Sequence, residues 1–441
     1  MKIILVGGGK VGTALARQLS EEDHNVTIVD TNKARVEHLT ESYDVLGIVG
    51  NGSSITTLAE AGIEDADVFI AVTGSDELNL LCCMFAKKAG HCHAIARVRN
   101  PSYSHELDFI KKQIGISAII NPEMVNDLVN SLVEIADQSG NEYLERWELL
   151  NAYSGCMVGN PAISVLCDAY RKGIRDYDVE KAYRYALNTS RRFSNNDDGY
   201  TPGNISCTLE YDYTDWCMAR LAEWLGKEGD RAHFDKRALS YATIFDPESG
   251  WFRPRNEKGV FSSLPEKGRL QEGYGCVESN PYQQGWFVPH DVEGMIRLMG
   301  GREKVLADLT DMFEKTPGDY LWNDYYNHAN EPVHHVPFLF NRLGMPSLTQ
   351  KWTRDICRNA YHDKVTGLVG NEDVGQMSAW YVLAAAGIHP ICPGDGRYEI
   401  TSPVFDRVEF RLDPAYAAGG SFVIEARDNS PENIYLSLIH I

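Results

Sequence analysis

The sequence is short of positive charge. Its 42 Lys and Arg residues stand against 62 Asp and Glu, which gives a formal net charge of −20 at pH 7. A surface that binds nucleic acid or anionic lipid needs clustered Lys and Arg to neutralise the phosphates. The charge balance therefore argues against nucleic acid and an anionic membrane face as partners, and it is typical of a solvated acidic surface.

Long hydrophobic runs are also missing. No stretch approaches the ~18 apolar residues that cross a bilayer. The opening "MKIILVGGGK" lacks the longer apolar core and the small-residue cleavage site of a secretory signal. The ten cysteines include no C-x-x-C pair, which favours reduced, buried thiols over a disulfide framework. As written, the chain is expected to stay in the cytoplasm and to have no membrane span.

Tryptophan is absent from the first third of the chain. All eight Trp lie at or after Trp147, and residues 1–140 contain only two Tyr, Tyr43 and Tyr103. A chain of 441 residues is expected to hold two or three domains, and this shift in composition predicts a boundary near residue 122. Aromatic side chains stack on sugars but also fill ordinary cores, so both interpretations remain open.

A glycine-rich turn follows the first predicted strand. "KIILVG" is a strand, "GGGKVGTALARQLS" enters an amphipathic helix, and "NVTIVD" is the next strand. Gly7, Gly9 and Gly12 fit G-x-G-x-x-G, which provides a tight turn, close approach to a pyrophosphate at the helix N-terminus and close helix–strand packing. Asp30 ends the second strand, where its carboxylate can accept ribose hydroxyls. The pattern predicts dinucleotide or adenine-nucleotide binding.

Three further strands, "YDVLGIVG", "ADVFIAVTG" and "HAIARVRN", are each followed by a helical stretch. This alternation predicts an α/β, Rossmann-like doubly wound parallel sheet. A catalytic constellation of His, Lys or Tyr does not accompany it, which disfavours a dehydrogenase.

This region resembles the N-terminal domain of Trk-type potassium-uptake regulators, the RCK or TrkA-N family. The matching stretches are "KIILVGGGKVGTALARQL", "VTIVD", "GNGSSITTLAEAGIEDADVFIAVTGSDELNLL" and "ARVRNPSYSHELDFIKKQIGISAIINPE". The resemblance implies NAD(H) or ATP sensing on the cytoplasmic face of a Trk-type potassium channel. It would place Asp76, Asn79 and Arg97 along the nucleotide crevice, although helix capping and surface charge explain these residues equally well.

After residue 122 the pattern changes to helices separated by Gly-, Asn- and Pro-rich loops. Examples are "AISVLCDAYRKGI", "REKVLADLTDMFE" and "VGQMSAWYVLAAAG". Paired helices with long loops predict an all-α (α/α) toroid over residues 123–396. From 397 to 441 the period becomes two in "RYEITS", "VEFRL", "SFVIEA" and "NIYLSL", which predicts a small β-sandwich fragment.

The first loop that carries candidate chemistry is "GCVESNPYQQGWFVPHDVEG". It places Glu278 among Tyr274, Tyr282 and Trp286. An aromatic wall that removes water from a carboxylate raises its pKa, and a raised pKa suits a general acid. The nearby amides are Asn280 and Gln283.

The second loop is "YYNHANEPVHHVPFLFNRLG". His328, Glu331, His334 and His335 are crowded into it, at spacings that suit either a metal ion or sugar hydroxyls. A zinc site would have its His pair on an established helix.

The third loop, in "GLVGNEDVGQMSAWYVLAAAG", carries adjacent carboxylates at a helix entrance. Backbone N–H groups there stabilise the ionised forms of Glu372 and Asp373, which suits a general base or a plain acidic N-cap. With Glu278, the three loops supply an acid, a base and oxygen ligands, which is the set that glycoside hydrolysis needs.

The second region resembles glycoside hydrolase family 92, whose members are calcium-dependent, inverting, exo-acting α-mannosidases. The resemblance covers residues 124–435 and rests on "GCMVGNPAISVLCDAY", "DGYTPGNISCTLEYDYTDWCMARLA", "VESNPYQQGWFVPHDVEGMIRLMGG", "HANEPVHHVPFLFNRLG" and "GNEDVGQMSAWYVLAAAGIHPICPGDGRYEITSPVFD". It implies hydrolysis of terminal α-linked mannose, with α-1,2 linkages favoured.

The resemblance also implies residue roles. Glu278 would be the general acid, and Asp373 the general base with Glu372 supporting it. The residues that would line the terminal-mannose subsite are Glu331, His334, His335 and Trp286. The residues that would give oxygens to calcium are Glu331, Asn280 and Gln283.

The sequence departs from this family in three places. Many members have Gly-Asn-Ala-Trp after the acid, where this chain reads "ESNPYQQGW". The family's N-terminal β-sandwich and its W-D-T-F-R-like motif are replaced by the nucleotide-binding region, and the final "LSLIHI" has no counterpart. We therefore expect a chimeric chain joined between Pro122 and Val125, with a truncated toroid of low solubility and low activity. The alternative function is a nucleotide-sensing regulatory subunit of Trk-type potassium uptake.

Overall fold

The structure is a computed structural model that describes residues 1–22, 24–98, 118–120, 125–149, 152–194, 199–364, 366–412 and 420–439. The chain divides into two compact units, Met1–Leu128 and Val129–Ile441. Of the predicted junction, residues 122–124 lie outside the described residues. Within the described ranges, no helix combines the length and the apolar character that a membrane span requires.

The first unit is built on a six-stranded parallel sheet with the order β3-β2-β1-β4-β5-β6. Its strands consist largely of Val, Ile, Leu and Ala, as expected for a sheet covered on both faces. The strands are β1 Lys2–Val6, β2 Asn25–Asp30, β3 Val45–Val49, β4 Val68–Ala71, β5 His93–Arg97 and β6 Ala118–Ile120.

The helices of this unit follow the strands in sequence, which gives the predicted doubly wound arrangement. They are α1 Lys10–Glu21, α2 Lys33–Ser42, α3 Ile55–Glu60 and α4 Asp76–Ala89, with a 3₁₀ turn at Ile63–Asp65. Asn32, Ser54 and Ser75 cap the last three helices, and each side chain accepts a backbone N–H. These caps fix where the helices start.

The turn between β1 and α1 shows why glycine is needed there. Gly7 has φ of +106°, which other residues rarely adopt. A Cβ on Gly12 would lie 1.7 Å from the Gly7 carbonyl oxygen, so the helix packs directly on the turn. A Cβ on Gly9 would meet nothing within 4 Å, and this leaves open space beside the helix N-terminus.

Helices dominate the second unit. The division between the units falls inside α5, Val125–Ser139. The other helices are α6 Pro161–Arg171, α7 Val179–Phe193, α8 Ile205–Trp224, α9 Glu228–Arg237, α10 Pro281–Gln284, α11 Val292–Leu298, α12 Arg302–Lys315, α13 Leu339–Arg342, α14 Pro346–Asn359 and α15 Gln376–Ala386. Short 3₁₀ turns lie at Ser240–Ile244, Gly268–Leu270, Pro289–Asp291, Glu331–Val333, Val336–Phe338 and Asp373–Gly375.

Most of the tryptophans fill the core of this unit. Trp251, Trp286 and Trp380 are at most 3% exposed and belong to one large hydrophobic cluster. Trp147 and Trp322 are the more exposed ones, at 37% and 51%. For most of these residues, the ordinary explanation of the aromatic enrichment is therefore correct.

Small antiparallel sheets complete the second unit, each with two strands. The strand pairs are β7 Glu148–Leu149 with β8 Ala152–Tyr153, β9 Phe245–Asp246 with β10 Trp251–Phe252, β11 Ile388–His389 with β12 Glu399–Ile400, and β13 Arg407–Arg411 with β14 Ser421–Glu425. The Rossmann-like sheet, the helical region and the C-terminal antiparallel strands confirm the predicted fold class. A strand over "NIYLSL" was wrongly predicted, because residues 433–438 pair with no neighbouring strand. In the tail, residues 440 and 441 lie outside the described residues.

We expect Gly12→Ala to destabilise the first unit by about 1–3 kcal/mol or more, because the new Cβ would overlap the Gly7 carbonyl. Hydrogen exchange of peptides from β1 and β2 should become faster. Gly9→Ala is the matched control, since space is open at that position. Equal exchange rates in the two variants would contradict the packing described here.

Candidate active site

A cleft of about 490 Å³ lies in the second unit. Its size is in the range of small-molecule sites. The walls come from the segment before and at the start of α6, from α8, and from the three loops that the sequence singles out. The lining residues include Arg146, Trp147, Met157, Gly159, Asn160, Glu210, Tyr213, Phe287, Asn330, Glu331, Asp373 and Gln376.

Glu278 lies at the rim of the cleft, because it follows the lining residue Val277 in sequence but does not itself line the cleft. Its backbone has φ of +49°, and its carbonyl accepts a 3.1 Å hydrogen bond from Asn330 Nδ2. The predicted removal of water by aromatic neighbours is wrong: the Glu278 side chain is exposed, whereas Tyr282 and Trp286 are packed in the core.

Glu331 is the carboxylate around which the site is arranged. It is half-buried and lines the cleft. Burial, followed by repulsion from Asp373 and then from Glu278, raises its pKa to about 7. The two predicted catalytic carboxylates therefore both lie near Glu331, although the loops that carry them are far apart in sequence.

The adjacent carboxylates Glu372 and Asp373 have different positions. Glu372 Oε1 accepts a 3.3 Å hydrogen bond from Ser378 N in the first turn of α15, so it acts as a helix cap. Asp373 lines the cleft with φ of +40°. Of the two interpretations of the pair, the helix cap therefore fits Glu372, whereas Asp373 is the member that lines the cleft.

The predicted sugar-contacting histidines lie behind the cleft and not in its wall. His334 and His335 are 2% and 6% exposed. Their Nε2 atoms donate to the carbonyls of His328, at 3.0 Å, and of Trp286, at 2.9 Å. Burial lowers both pKa values to about 4, so both rings are neutral at pH 7.

Trp286 is also a core residue. It is fully buried, and its ring packs edge-on against Trp251 at 5.0 Å. Of the four predicted subsite residues, only Glu331 lines the cleft. The buried position of Trp286 suits it to support the Glu278 loop from the core side.

The oxygens available to a calcium ion differ from those predicted. Asn280 and Gln283 form a capping box at α10, in which each side-chain oxygen accepts the other residue's backbone N–H. Their amide oxygens are therefore engaged and do not fit a metal ion. Asn330 Oδ1 and Glu331 Oε1 are buried and accept no hydrogen bond within the described residues, and a hard cation prefers such oxygens. Among all the residues that the structure describes, no cluster of three or more His, Cys, Asp or Glu has metal-binding geometry.

Glu210 is a site residue that the sequence reasoning missed. It lies within α8 and faces the cleft. Burial raises its pKa to about 8, although Arg146 and Gln284 favour the ionised form, and Glu331 adds repulsion. A single Glu in a helix with no flanking motif gives no sequence signal. Asn330, in contrast, could have been found from its place beside Glu331.

Backbone strain is concentrated at this cleft. Six non-glycine residues in the described part of the chain have positive φ, and Met157, Glu278 and Asp373 are three of them. Such conformations cost energy and persist where the surrounding structure imposes them, often at functional sites. The strain is a second sign, independent of charge, that these loops form a site.

In the first unit, the predicted nucleotide residues lie at the carboxyl ends of the strands. The Asp30 carboxylate accepts hydrogen bonds from Gly8 N at 2.6 Å and from Asn32 N at 2.7 Å. Asp76 is buried in the first turn of α4, and Arg97 ends β5. Asp30 therefore contacts the glycine turn through Gly8, and Asp76, after β4, and Arg97, at the end of β5, lie at the same edge of the parallel sheet.

Asn79 has a structural role. Its Oδ1 accepts from Thr73 N at 2.8 Å, and its Nδ2 donates to Arg97 O at 2.8 Å. The fully buried side chain therefore joins the ends of β4 and β5.

Two family models match the chain. Residues 90–441 match the glycosyl hydrolase family 92 catalytic domain. Residues 3–122 match the TrkA-N domain.

Individual relatives are of the same two kinds. An uncharacterised secreted glycosidase of Arthroderma benhamiae is 30% identical over 265 residues, which are 54% of this chain and 32% of the relative. A homologue of the Trk system potassium uptake protein TrkA from Methanothermobacter thermautotrophicus is 42% identical over 123 residues, which are 28% of this chain and 55% of the relative.

Solved structures of family GH92 share the fold of the second unit. An α-mannosidase of Bacteroides thetaiotaomicron, in complex with mannoimidazole, is 34% identical with a TM-score of 0.64 and covers 71% of this chain. An inverting mannosidase from the same organism is 32% identical with a TM-score of 0.63 and the same coverage. The chain spans 44% and 46% of these two proteins, so it matches less than half of each.

With metal removed by a chelator, the free energy of unfolding should fall as pH rises from about 5 to about 8. The reason is that Glu210 and Glu331 have folded-state pKa values near 8 and 7, well above their ordinary 4.5. The folded protein then holds protons that the unfolded chain has released, and stability is lost as these groups ionise. Glu210→Gln should flatten this dependence, and Glu314→Gln, at an exposed helix position, should not. Urea unfolding at several pH values measures this dependence. An unchanged pH dependence of the free energy of unfolding in Glu210→Gln would contradict the raised pKa of Glu210.

Proposed function

Because the match over residues 90–441 shows that this chain belongs to glycosyl hydrolase family 92, we propose that the second unit is an inverting, calcium-dependent exo-α-mannosidase. The observation that carries the proposal is the approach of Glu278 and Asp373 to Glu331 from two different loops. Its substrate would be terminal α-linked mannose of a glycan, with α-1,2 linkages as the first candidate.

Two carboxyl groups have separate tasks in inversion. Glu278, at the rim, would donate its proton to the leaving glycosidic oxygen. Asp373, in the cleft wall, would accept a proton from the water that attacks the opposite face of the sugar. An inverting enzyme keeps these carboxyls about 6.5–9.5 Å apart so that this water fits. Both carboxylates interact electrostatically with Glu331, which supports such an arrangement.

Calcium would be held by Glu331 and Asn330, two adjacent cleft residues whose buried oxygens lack a partner within the described residues. When bound, the ion would neutralise part of the carboxylate charge and hold sugar hydroxyls. Asn330 would also position Glu278, because its Nδ2 already donates to the Glu278 carbonyl.

The neutral histidines and Trp286 would support the site from behind. His335 donates to the Trp286 carbonyl, and the Trp380 Nε1 donates to the His334 carbonyl at 2.8 Å. These contacts fix the second loop against the acid loop and α15. Glu372 would support Asp373 by capping α15, the helix that follows both residues.

The test is hydrolysis of an aryl α-mannoside and of an α-1,2-mannobiose, with the product anomer followed by NMR. We expect β-mannose as the first product, activity that a chelator removes and calcium restores, and a loss of at least ~10²-fold in kcat for Glu278→Gln and for Asp373→Asn. Glu314→Gln is the matched control. An α-mannose first product, or full activity in Glu278→Gln or in Asp373→Asn, would contradict the proposal.

For the first unit we propose binding of NAD(H) or ATP, which is the alternative function of the chain. The supporting observation is the strand–glycine turn–helix with open space at Gly9, next to the carboxylate of Asp30. The match of residues 3–122 to the TrkA-N domain agrees with it. In this alternative the chain would regulate Trk-type potassium uptake from the cytoplasm, with the channel as its partner.

Titration calorimetry of the full chain with NAD⁺, NADH and ATP tests the nucleotide proposal. We expect Asp30→Ala to weaken binding at least tenfold, because the ribose hydroxyls lose their acceptor. Asp44→Ala, at an exposed position outside the turn, should bind as the wild type does. Absence of binding for all three nucleotides would refute the proposal for this unit.

A further inference from the structure

We propose that Glu210 and Asn160 form a hydroxyl-binding patch on a wall of the cleft that the acid and base loops do not supply, and that the patch holds the pyranose ring of the substrate. The inference rests on the proposed function of the second unit and deepens it. It adds two contact residues and identifies Gly159 and Gln284 as their positioning residues.

The place of the Glu210 carboxylate is set by a glycine. Gly159 has φ of +80°, and a Cβ there would lie 2.5 Å from Glu210 Oε2. Only glycine leaves room for the carboxylate at this position. Glu210 also interacts electrostatically with Glu331, so its carboxylate faces the same space as the proposed reacting groups.

The orientation of Gln284 is set by a chain of hydrogen bonds. Val277 N donates to Ser206 Oγ at 3.0 Å, so the Ser206 hydroxyl donates to Gln284 Oε1, also at 3.0 Å. This leaves the amide nitrogen Nε2 of Gln284 as the group that can donate to Glu210, and its interaction with Glu210 favours the ionised carboxylate.

Asn160 supplies a second acceptor. It is 2% exposed and lines the cleft. Its Nδ2 donates to Ser194 Oγ at 3.4 Å, which leaves Oδ1 buried without a partner among the described residues. Buried polar atoms are rarely left unsatisfied, so an unpartnered acceptor in a cleft points to a ligand or an ordered water.

The chemistry of the patch selects a neutral polyol. Two acceptors and a carboxylate-rich cleft disfavour an anion, since Glu331 and Asp373 share the space. An apolar ligand would leave the same acceptors unsatisfied. Sugar hydroxyls donate to such acceptors without adding charge, and this is the match that the patch offers.

The experiment is calorimetric binding of methyl α-mannoside and its 2-, 3-, 4- and 6-deoxy analogues, in calcium buffer, to the full chain. The variants are Glu210→Gln, which keeps the shape of the side chain, and the matched control Glu314→Gln. We expect Glu210→Gln to weaken binding of the parent sugar at least tenfold. One deoxy analogue should lose affinity for the wild type and lose no more in Glu210→Gln, because the contact is already gone. Circular dichroism verifies that the variant is folded.

Three outcomes decide between the claims. Coupling between Glu210→Gln and one deoxy position, with Glu314→Gln unchanged, supports the patch. Wild-type binding that Glu210→Gln leaves unaltered, or weakens equally for every analogue, overturns the patch and leaves the proposed function intact. No binding of any mannoside by the wild type overturns the proposed function and the patch with it.

Discussion

Crowding of negative charge in one cleft is the constraint on which the second unit depends. Glu331 is half-buried, Asp373 and Glu278 both repel its charge, and Glu210 lines the same cleft. Carboxylates held this close cannot all ionise in a partly dry site unless a proton or a cation compensates them. The strained backbone at Glu278 and Asp373 indicates that the fold imposes the arrangement. A site of this kind suits proton transfer, because small changes in environment decide which group holds the proton.

The two units present different chemical groups to a ligand. The first presents a helix N-terminus and backbone N–H groups beside a glycine turn, which suits phosphate. The second surrounds its cleft with carboxylates and amides, which suits hydroxyls and a hard cation. These chemistries differ, and the two family matches cover mainly different parts of the chain, with TrkA-N at residues 3–122 and family 92 at 90–441, sharing only 90–122.

Local patterns predicted local structure well. The glycine spacing predicted the contact of Gly12 with the turn, and periodicity predicted most helices and strands, because each depends on neighbours in sequence. Side-chain direction could not be predicted. Asn280 and Gln283 looked like metal ligands but cap a helix, and Trp286 looked like a sugar platform but fills the core. Glu210 was missed, because a lone Glu gains meaning only when the fold brings it to Asn160 and Glu331.

We propose that the crowded carboxylates make one cation site at Glu331. Calorimetric titration of calcium into the metal-free full chain tests this site. We expect one calcium ion per chain, with affinity reduced at least tenfold in Glu331→Gln and unchanged in Glu314→Gln. Absence of calcium binding by the wild type, or equal affinity in Glu331→Gln, would contradict it.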